Sequence, residues 1–161
     1  MKKVGVLWMR IVVLSDSHRA RNNLYDIIEM HLNDADLFIF LGDGESDFEN
    51  ATYLYPDMRY FQVAGNCDFG SSLPLYNEIK FCDKTIFFSH GHPFYVKHGY
   101  SEIIREAKSR GADICLFGHT HNQYIDREDS LYIMNPGAVR DGRYGMIDIV
   151  NGQIKLIDCK I

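Results

Sequence analysis

No stretch of the 161-residue sequence approaches the roughly 20 consecutive apolar residues that a bilayer-spanning helix needs. Cysteine is sparse: Cys67, Cys82, Cys115 and Cys159 are widely spaced and form no CxxC pair. That excludes a disulfide framework and makes a reducing cytoplasm the expected compartment. Basic residues are in deficit, with 17 Lys and Arg against 22 Asp and Glu and a net charge of −5. No Lys/Arg cluster offers a track for a polymer backbone, so a nuclease, a nucleic-acid partner or an anionic membrane face is disfavoured. Neither GxxxxGK[ST] nor GxGxxG occurs, which leaves nucleotide-cofactor chemistry without support. Repeats, linkers and low-complexity tracts are also missing, so one domain is expected. The start, MKKVGVLWMR, has the outline of a signal peptide, but its apolar run is short and Arg10 interrupts it. Met9 opens the first strand-like run. Residues 1–8 are therefore expected to be an N-terminal extension, and residues 9–161 the domain.

What is present is a set of short apolar runs alternating with helical patterns. RIVVLS (10–15), DLFIFLG (36–42) and YFQVAG (60–65) read as buried strands. LYDIIEMHL follows the first with helical spacing and Asn22 or Asn23 as its cap, and a short helix separates the second and third. YNEIKF and TIFFSH form a hairpin about Cys82-Asp83-Lys84. SEIIREAKSRG is a helix capped by Ser101 and stopped by Gly111, and DICLFG (113–118) is a further strand. The remainder alternates apolar and polar residues between turn signals, as a run of antiparallel strands does. Two packed sheets with helices outside accommodate this order.

The apolar strands share one feature: each ends on a polar group. Asp16-Ser17-His18 follows the first, Gly42-Asp43 the second, Gly65-Asn66 the third, His90-Gly91-His92 the fourth and Gly118-His119-Thr120-His121 the fifth. One such end is ordinary turn or cap chemistry, but five together point to a single crevice at the carboxyl ends of the strands. In an extended segment His119 and His121 face the same way. The donors Asp16, His18, Asp43, Asn66, His90, His119 and His121 are carboxylates, an amide and imidazoles, with no thiolate pair. They suit Mn²⁺, Fe or Zn²⁺ better than a sulfur-bound structural zinc. Seven donors exceed one tetrahedral ion and divide between two ions sharing a carboxylate. A pair of ions about 3.5–4 Å apart generates hydroxide and clamps both oxygens of an in-line phosphoryl displacement. Set against Asp16, Asp43 and a bridging hydroxide, two divalent ions leave about one positive charge to draw in a phosphate ester.

Asp-x-His, Gly-Asp, Gly-Asn-x-Asp, His and Gly-His-x-His, in this order over residues 16–121, resemble the calcineurin-like metallophosphoesterase superfamily. The chain looks most like its small prokaryotic phosphodiesterase group, which is related to the small retromer subunit. The resemblance implies an α/β fold, a four-layer αββα sandwich of two mixed sheets flanked by helices. It implies two divalent ions, with Mn²⁺ favoured and Fe, Zn²⁺ or Ni²⁺ as alternatives, and phosphodiester hydrolysis by a metal-bound hydroxide. Asp16, His18 and His121 would hold one ion, Asn66, His90 and His119 the other, with Asp43 bridging. Cys67 stands where the broad pattern has a His that protonates the leaving group, and His92 is a candidate replacement. Asp68 would orient either residue or cap a turn. A protein-binding scaffold with a vestigial site is the competing class, and a complete donor set argues against it. A small phosphate ester is the expected substrate, with a homo-dimer or higher homo-oligomer left open. Among residues outside the pattern, Arg140 and Arg143 are candidate phosphate contacts, Phe94 and Tyr95 rim residues, His98 a loop residue and His31 a surface or helix-dipole-satisfying residue.

Overall fold

The computed structural model describes residues 5–161. β1 (Trp8–Leu14), β2 (Leu37–Phe40) and β3 (Tyr60–Gln62) are joined by helices α1 (Arg21–His31) and α2 (Glu45–Leu54). β4 (Tyr76–Phe81) and β5 (Lys84–Ser89) make a hairpin, followed by α3 (Ser101–Ser109) and β6 (Ile114–Leu116). β7 (Gln123–Glu128), β8 (Leu131–Pro136), β9 (Arg143–Val150) and β10 (Gln153–Lys160) complete the chain. The strands form two five-stranded mixed sheets, ordered β10-β9-β1-β2-β3 and β4-β5-β6-β8-β7.

Side-chain alternation along the strands builds the layers. Ile11, Val13, Ile39, Ile86, Phe88, Ile114 and Leu116 point between the sheets, where each fully buried side chain contributes about 1.5–3 kcal/mol. Val12, Leu14, Phe38 and Phe40 point the other way, onto Leu24, Ile27 and Ile28 of α1 and Phe48 of α2. Phe87, Cys115 and Ile133 of the second sheet meet Ile103 and Ala107 of α3. The result is the expected four-layer αββα sandwich.

Several local expectations are corrected. The last four strands are not one antiparallel run: β7 and β8 join the second sheet, β9 and β10 the first, and β8 lies parallel to β6. Strand alternation cannot encode which sheet a strand joins. The hairpin turn tightens to two residues, Cys82 and Asp83, both at positive φ as a type I′ turn requires. Neither Asn22 nor Asn23 caps α1; both lie inside it, and Asn23 Nδ2 donates to Val139 O (3.0 Å). Ser101 is the first residue of α3, whose cap position is Tyr100. His31 is not a surface group: it is buried and bridges Asp34 Oδ1 (2.9 Å) and the Tyr144 hydroxyl (3.0 Å), tying the end of α1 to β9.

Part of the proposed extension, residues 1–4, lies outside the described residues. Within them, β1 begins at Trp8, one residue before the expected boundary, and pairs with Val150. Leu7 N donates to Asn151 Oδ1 (3.1 Å), and Asn151 N to Leu7 O (2.8 Å). The Arg10 guanidinium lies 4.9 Å from the Trp8 ring centroid. Deleting residues 1–8 is therefore expected to cost about 2 kcal/mol through these hydrogen bonds and the cation–π contact. Denaturant unfolding checks it, and an unchanged midpoint would show that the extension adds nothing.

Candidate metal centre

β1, β2 and β3 run parallel, as do β5 and β6, so their carboxyl ends gather Asp16, Asp43, His90 and His119 at one edge. The backbone there is strained. Of eleven non-glycine residues at positive φ among those described, five are Asp16, His18, Asp43, His119 and His121. Such conformations persist only where the surroundings over-determine them, and they concentrate at functional sites. Glycine supplies the room. A Cβ on Gly65 would sit 2.1 Å from Asp43 Oδ1, and one on Gly118 would sit 2.9 Å from Asp16 Oδ2. This is the physical reason for Gly directly before the polar residue at these strand ends.

The side chains form two adjoining groups. Asp16 Oδ1 lies 3.1 Å from His121 Nε2 and 3.3 Å from His18 Nε2, and the two imidazole nitrogens are 3.2 Å apart. Asp43 Oδ2 lies 3.2 Å from His90 Nε2, which is 3.2 Å from His119 Nδ1. Asp43 also reaches toward the first group, with His18 Nε2 at 3.7 Å. Within Asp16/His18/His121 and within Asp43/His90/His119, the donor atoms all lie within 4.8 Å of one another. A metal–nitrogen bond of about 2.1 Å sets neighbouring ligand atoms about 3.0–3.4 Å apart in octahedral or tetrahedral arrangements. The imidazole pairs have that spacing, so these residues fit divalent ions.

Outer contacts hold the donors in place. His90 is buried and its Nδ1 bonds Leu41 O (2.8 Å), which leaves Nε2 to face the centre. Ser15 Oγ (2.6 Å) and the His119 backbone N–H (3.1 Å) donate to Asp16 Oδ2, and the Cys67 N–H donates to Asp43 Oδ1 (2.7 Å). Buried Asn135 donates to Gly118 O (3.0 Å) and Thr120 Oγ1 (2.9 Å), fixing the loop that carries the His119/His121 pair. Ser15 and Asn135 are supports that no local sequence pattern marks out, because the groups they bind are brought to them by the fold.

Burial pushes the Asp43 carboxyl up, but hydrogen bonding to His90 and its charge outweigh this and hold Asp43 well below the carboxylate range. Asp16 is lowered in the same way, by His121 and His90 against its own burial. His90 is raised despite burial, through Asp43 and Asp16. Burial and the His90 charge push His119 down to about 4, leaving a neutral imidazole suited to metal. The centre thus concentrates two carboxylate charges in a buried setting, where a cation has most to gain.

The remaining expected residues separate. Asn66 is exposed, and its amide donates to Cys67 Sγ (3.5 Å). Cys67 groups with His18 and Asp43, and burial and the Asp43 charge push its thiol up. The His92 ring sits 5.5 Å from that of His90, lowered by burial and by the His90 charge, with Nδ1 buried and without a partner. Asp68 orients neither. Its carboxylate accepts four backbone N–H groups: Gly65 (2.7 Å), Asp43 (2.8 Å), Gly44 (3.0 Å) and Glu45 (3.0 Å). Arg140 Nη2 contacts His121 Nδ1 (3.1 Å), and Arg143 turns to Gln123 Oε1 (2.9 Å). Phe94 is half-buried and packs on Phe87 at 5.8 Å between centroids, while Tyr95 and His98 are exposed.

Comparison with known proteins agrees with this geometry. Residues 9–151 match the family model of the calcineurin-like phosphoesterase superfamily domain. The "Probable metallophosphoesterase YsnB" of Bacillus subtilis is 30% identical over 82% of this chain and 76% of its own. The phosphodiesterase MJ0936 of Methanocaldococcus jannaschii is 27% identical over 80% of this chain and 83% of its own. Among solved structures, a predicted phosphoesterase of Streptococcus pneumoniae superposes with a TM-score of 0.81 at 23% identity, over 96% of this chain and 90% of its own. Vps29 of Chaetomium thermophilum superposes with a TM-score of 0.72 at 15% identity, over 95% of both chains, which shows a shared fold. By its sequence over nearly the whole folded chain, this protein belongs to the calcineurin-like phosphoesterase superfamily.

Proposed function

We propose that the phosphoesterase chemistry of the family is carried here by two divalent ions and directed at phosphodiesters. The observation that carries this reading is the pair of adjoining donor groups with Asp43 between them. Asp16, His18 and His121 would hold one ion, and His90 and His119 with the exposed Asn66 amide the other, Asp43 being shared. Bound there, two such ions would activate water and neutralise charge on the phosphoryl group. Mn²⁺ is the favoured ion for this oxygen- and nitrogen-rich set, with Fe, Zn²⁺ and Ni²⁺ as alternatives. The protein's own part is positional: Leu41 O fixes the His90 tautomer, and Ser15 and the Cys67 amide aim the two carboxylates. The completeness of the donor set favours an enzyme over a scaffold with a vestigial site. After reconstitution with Mn²⁺, elemental analysis should give two ions per chain, and bis(p-nitrophenyl) phosphate should be hydrolysed until a chelator is added. One ion or none, or activity that survives chelation, sinks the reading.

Protonation of the leaving group is the weak step. Cys67 lines the cleft beside the centre, but its thiol holds its proton and donates poorly. His92 is lowered and so is a neutral ring near pH 7. The rate should therefore fall steeply as the leaving group becomes more basic. Cys67→Ser should change kcat/KM on an aryl diester less than about threefold. Cys67→His should selectively improve alkyl esters, within the roughly 10²–10⁴-fold that a positioned acid supplies. A leaving-group series on the three proteins measures this, and loss of aryl-diester activity in Cys67→Ser would mean that the thiol acts directly.

A further inference from the structure

We infer that Arg19 is the residue that grips the phosphate of the substrate, from the wall of the cleft beside the metal centre; this rests on the reading of that centre given above. The cleft, about 650 Å³, runs between the start of α2 and the loop after β3 and includes His18, Arg19, Asp43, Glu45, Cys67 and Phe69 in its lining. Its other charged groups are carboxylates, so Arg19 is its one permanently cationic side chain among the described residues. A phosphodiester anion entering there meets carboxylates and neutral groups, and among the charged side chains of the lining only this guanidinium attracts it.

Three observations show that the guanidinium is presented rather than merely exposed. First, His18 and Arg19 are the central residues of a tight turn closed by Ala20 N–H to Ser17 O (2.8 Å), both at positive φ, +43° and +72°. Glycine or asparagine adopts such a turn with least strain, so an arginine there is held against its preference. Second, the hold is visible. Buried Asp47 accepts Ser17 Oγ (2.6 Å), the Arg19 backbone N–H (2.9 Å) and Arg21 Nε (3.0 Å), pinning the turn from three sides. Third, that carboxylate is committed to the Arg19 backbone and the Arg21 side chain. Asp68 is committed to four backbone N–H groups, and Asp43 to His90 and the Cys67 N–H. Among the described residues the Arg19 guanidinium itself has no hydrogen bond or ion pair, although carboxylates line the same cleft. A planar fork with free donors, rooted one residue from a metal-facing histidine, suits two oxygens of a phosphoryl group.

The test uses Mn²⁺-loaded wild type, Arg19→Gly and Arg19→Lys. It reads the Kd of inorganic phosphate by calorimetry, KM and kcat on bis(p-nitrophenyl) phosphate, metal content and melting temperature. Arg19→Gly should weaken phosphate binding and raise KM by about tenfold or more, as loss of a charged hydrogen bond does. Its metal content should stay the same and its melting temperature should be equal or higher, because glycine relieves the turn. Arg19→Lys should recover part of the binding, keeping charge without the fork. Unchanged Kd and KM in Arg19→Gly overturn the proposal, as does a fall in melting temperature that accounts for the lost activity. If wild type binds phosphate but hydrolyses no diester, the proposed function fails while the Kd ratio still decides the role of Arg19. If it binds no phosphate, both fail.

Discussion

Asp43→Asn is expected to lower kcat/KM on a phosphodiester by at least about 10²–10³-fold, the range seen when one preorganised charge-stabilising group is lost. The substitution keeps the shape of the side chain and leaves Oδ1 to accept the Cys67 N–H, so the loop it anchors should stay in place. What changes is the other oxygen, which faces His90 Nε2 at 3.2 Å and His18 Nε2 at 3.7 Å. An amide there removes the charge that both donor groups share, and metal content should drop from two ions to one. Without metal the variant should be somewhat less stable than wild type near pH 7, because it loses the ionised carboxylate that His90 favours in the fold. Calorimetric melting, elemental analysis and kinetics on one preparation measure all three. Two ions and near-normal activity in Asp43→Asn would show that Asp43 does not bridge.

Asp68→Ala should have the largest effect on stability. One carboxylate closes the ends of β2 and β3 onto each other and serves as the N-terminal cap of α2. The residue at the cap position, Gly44, has no side chain of its own to do so. Four backbone N–H groups lose their acceptor at once, a loss of about 3 kcal/mol or more. For a domain of this size the melting temperature should fall by roughly 6–12 °C. Metal affinity should fall with it, because Asp43 and Gly65 belong to the tied loops. Asp68→Asn should rescue less than half, since the amide keeps one acceptor and turns an N–H₂ toward two donors. A melting temperature within about 2 °C of wild type in Asp68→Ala would show that water replaces the carboxylate.

Much of the layered architecture was legible in the sequence, as were the six donor side chains that the fold gathers into two groups, for a local reason. Strands buried on both faces read as unbroken apolar runs, and each run here stops on a chemically distinctive residue. Asp16, Asp43, His90 and His119 could be assigned to one edge because parallel strands carry their ends to the same side. The Gly before Asp43, Asn66 and His119 was visible as a repeat, although its purpose was not: Gly65 and Gly118 leave room for a carboxylate, and Gly42 lets the β2 end approach the Gly65 backbone. Asp68 read as an orienting group or a turn cap because it sits beside Cys67. Its actual partners lie 23–25 positions earlier as well as three, and no local pattern encodes them. His31 likewise read as a surface group because its partner Tyr144 is 113 residues away.

The sequence by itself determined which residues are apolar, where each strand stops and which donor types stand at those stops. Periodicity and turn chemistry act over a few residues, and those properties need no more. Only the tertiary structure decided that the last four strands divide between two sheets. It also decided that Asp68 ties loops together, and that among the described residues the Arg19 side chain has no hydrogen-bonding partner once Asp47 has bound its backbone. Each of these depends on which distant groups the fold brings within hydrogen-bonding reach of one another. That is settled by packing in three dimensions, not by spacing along the chain.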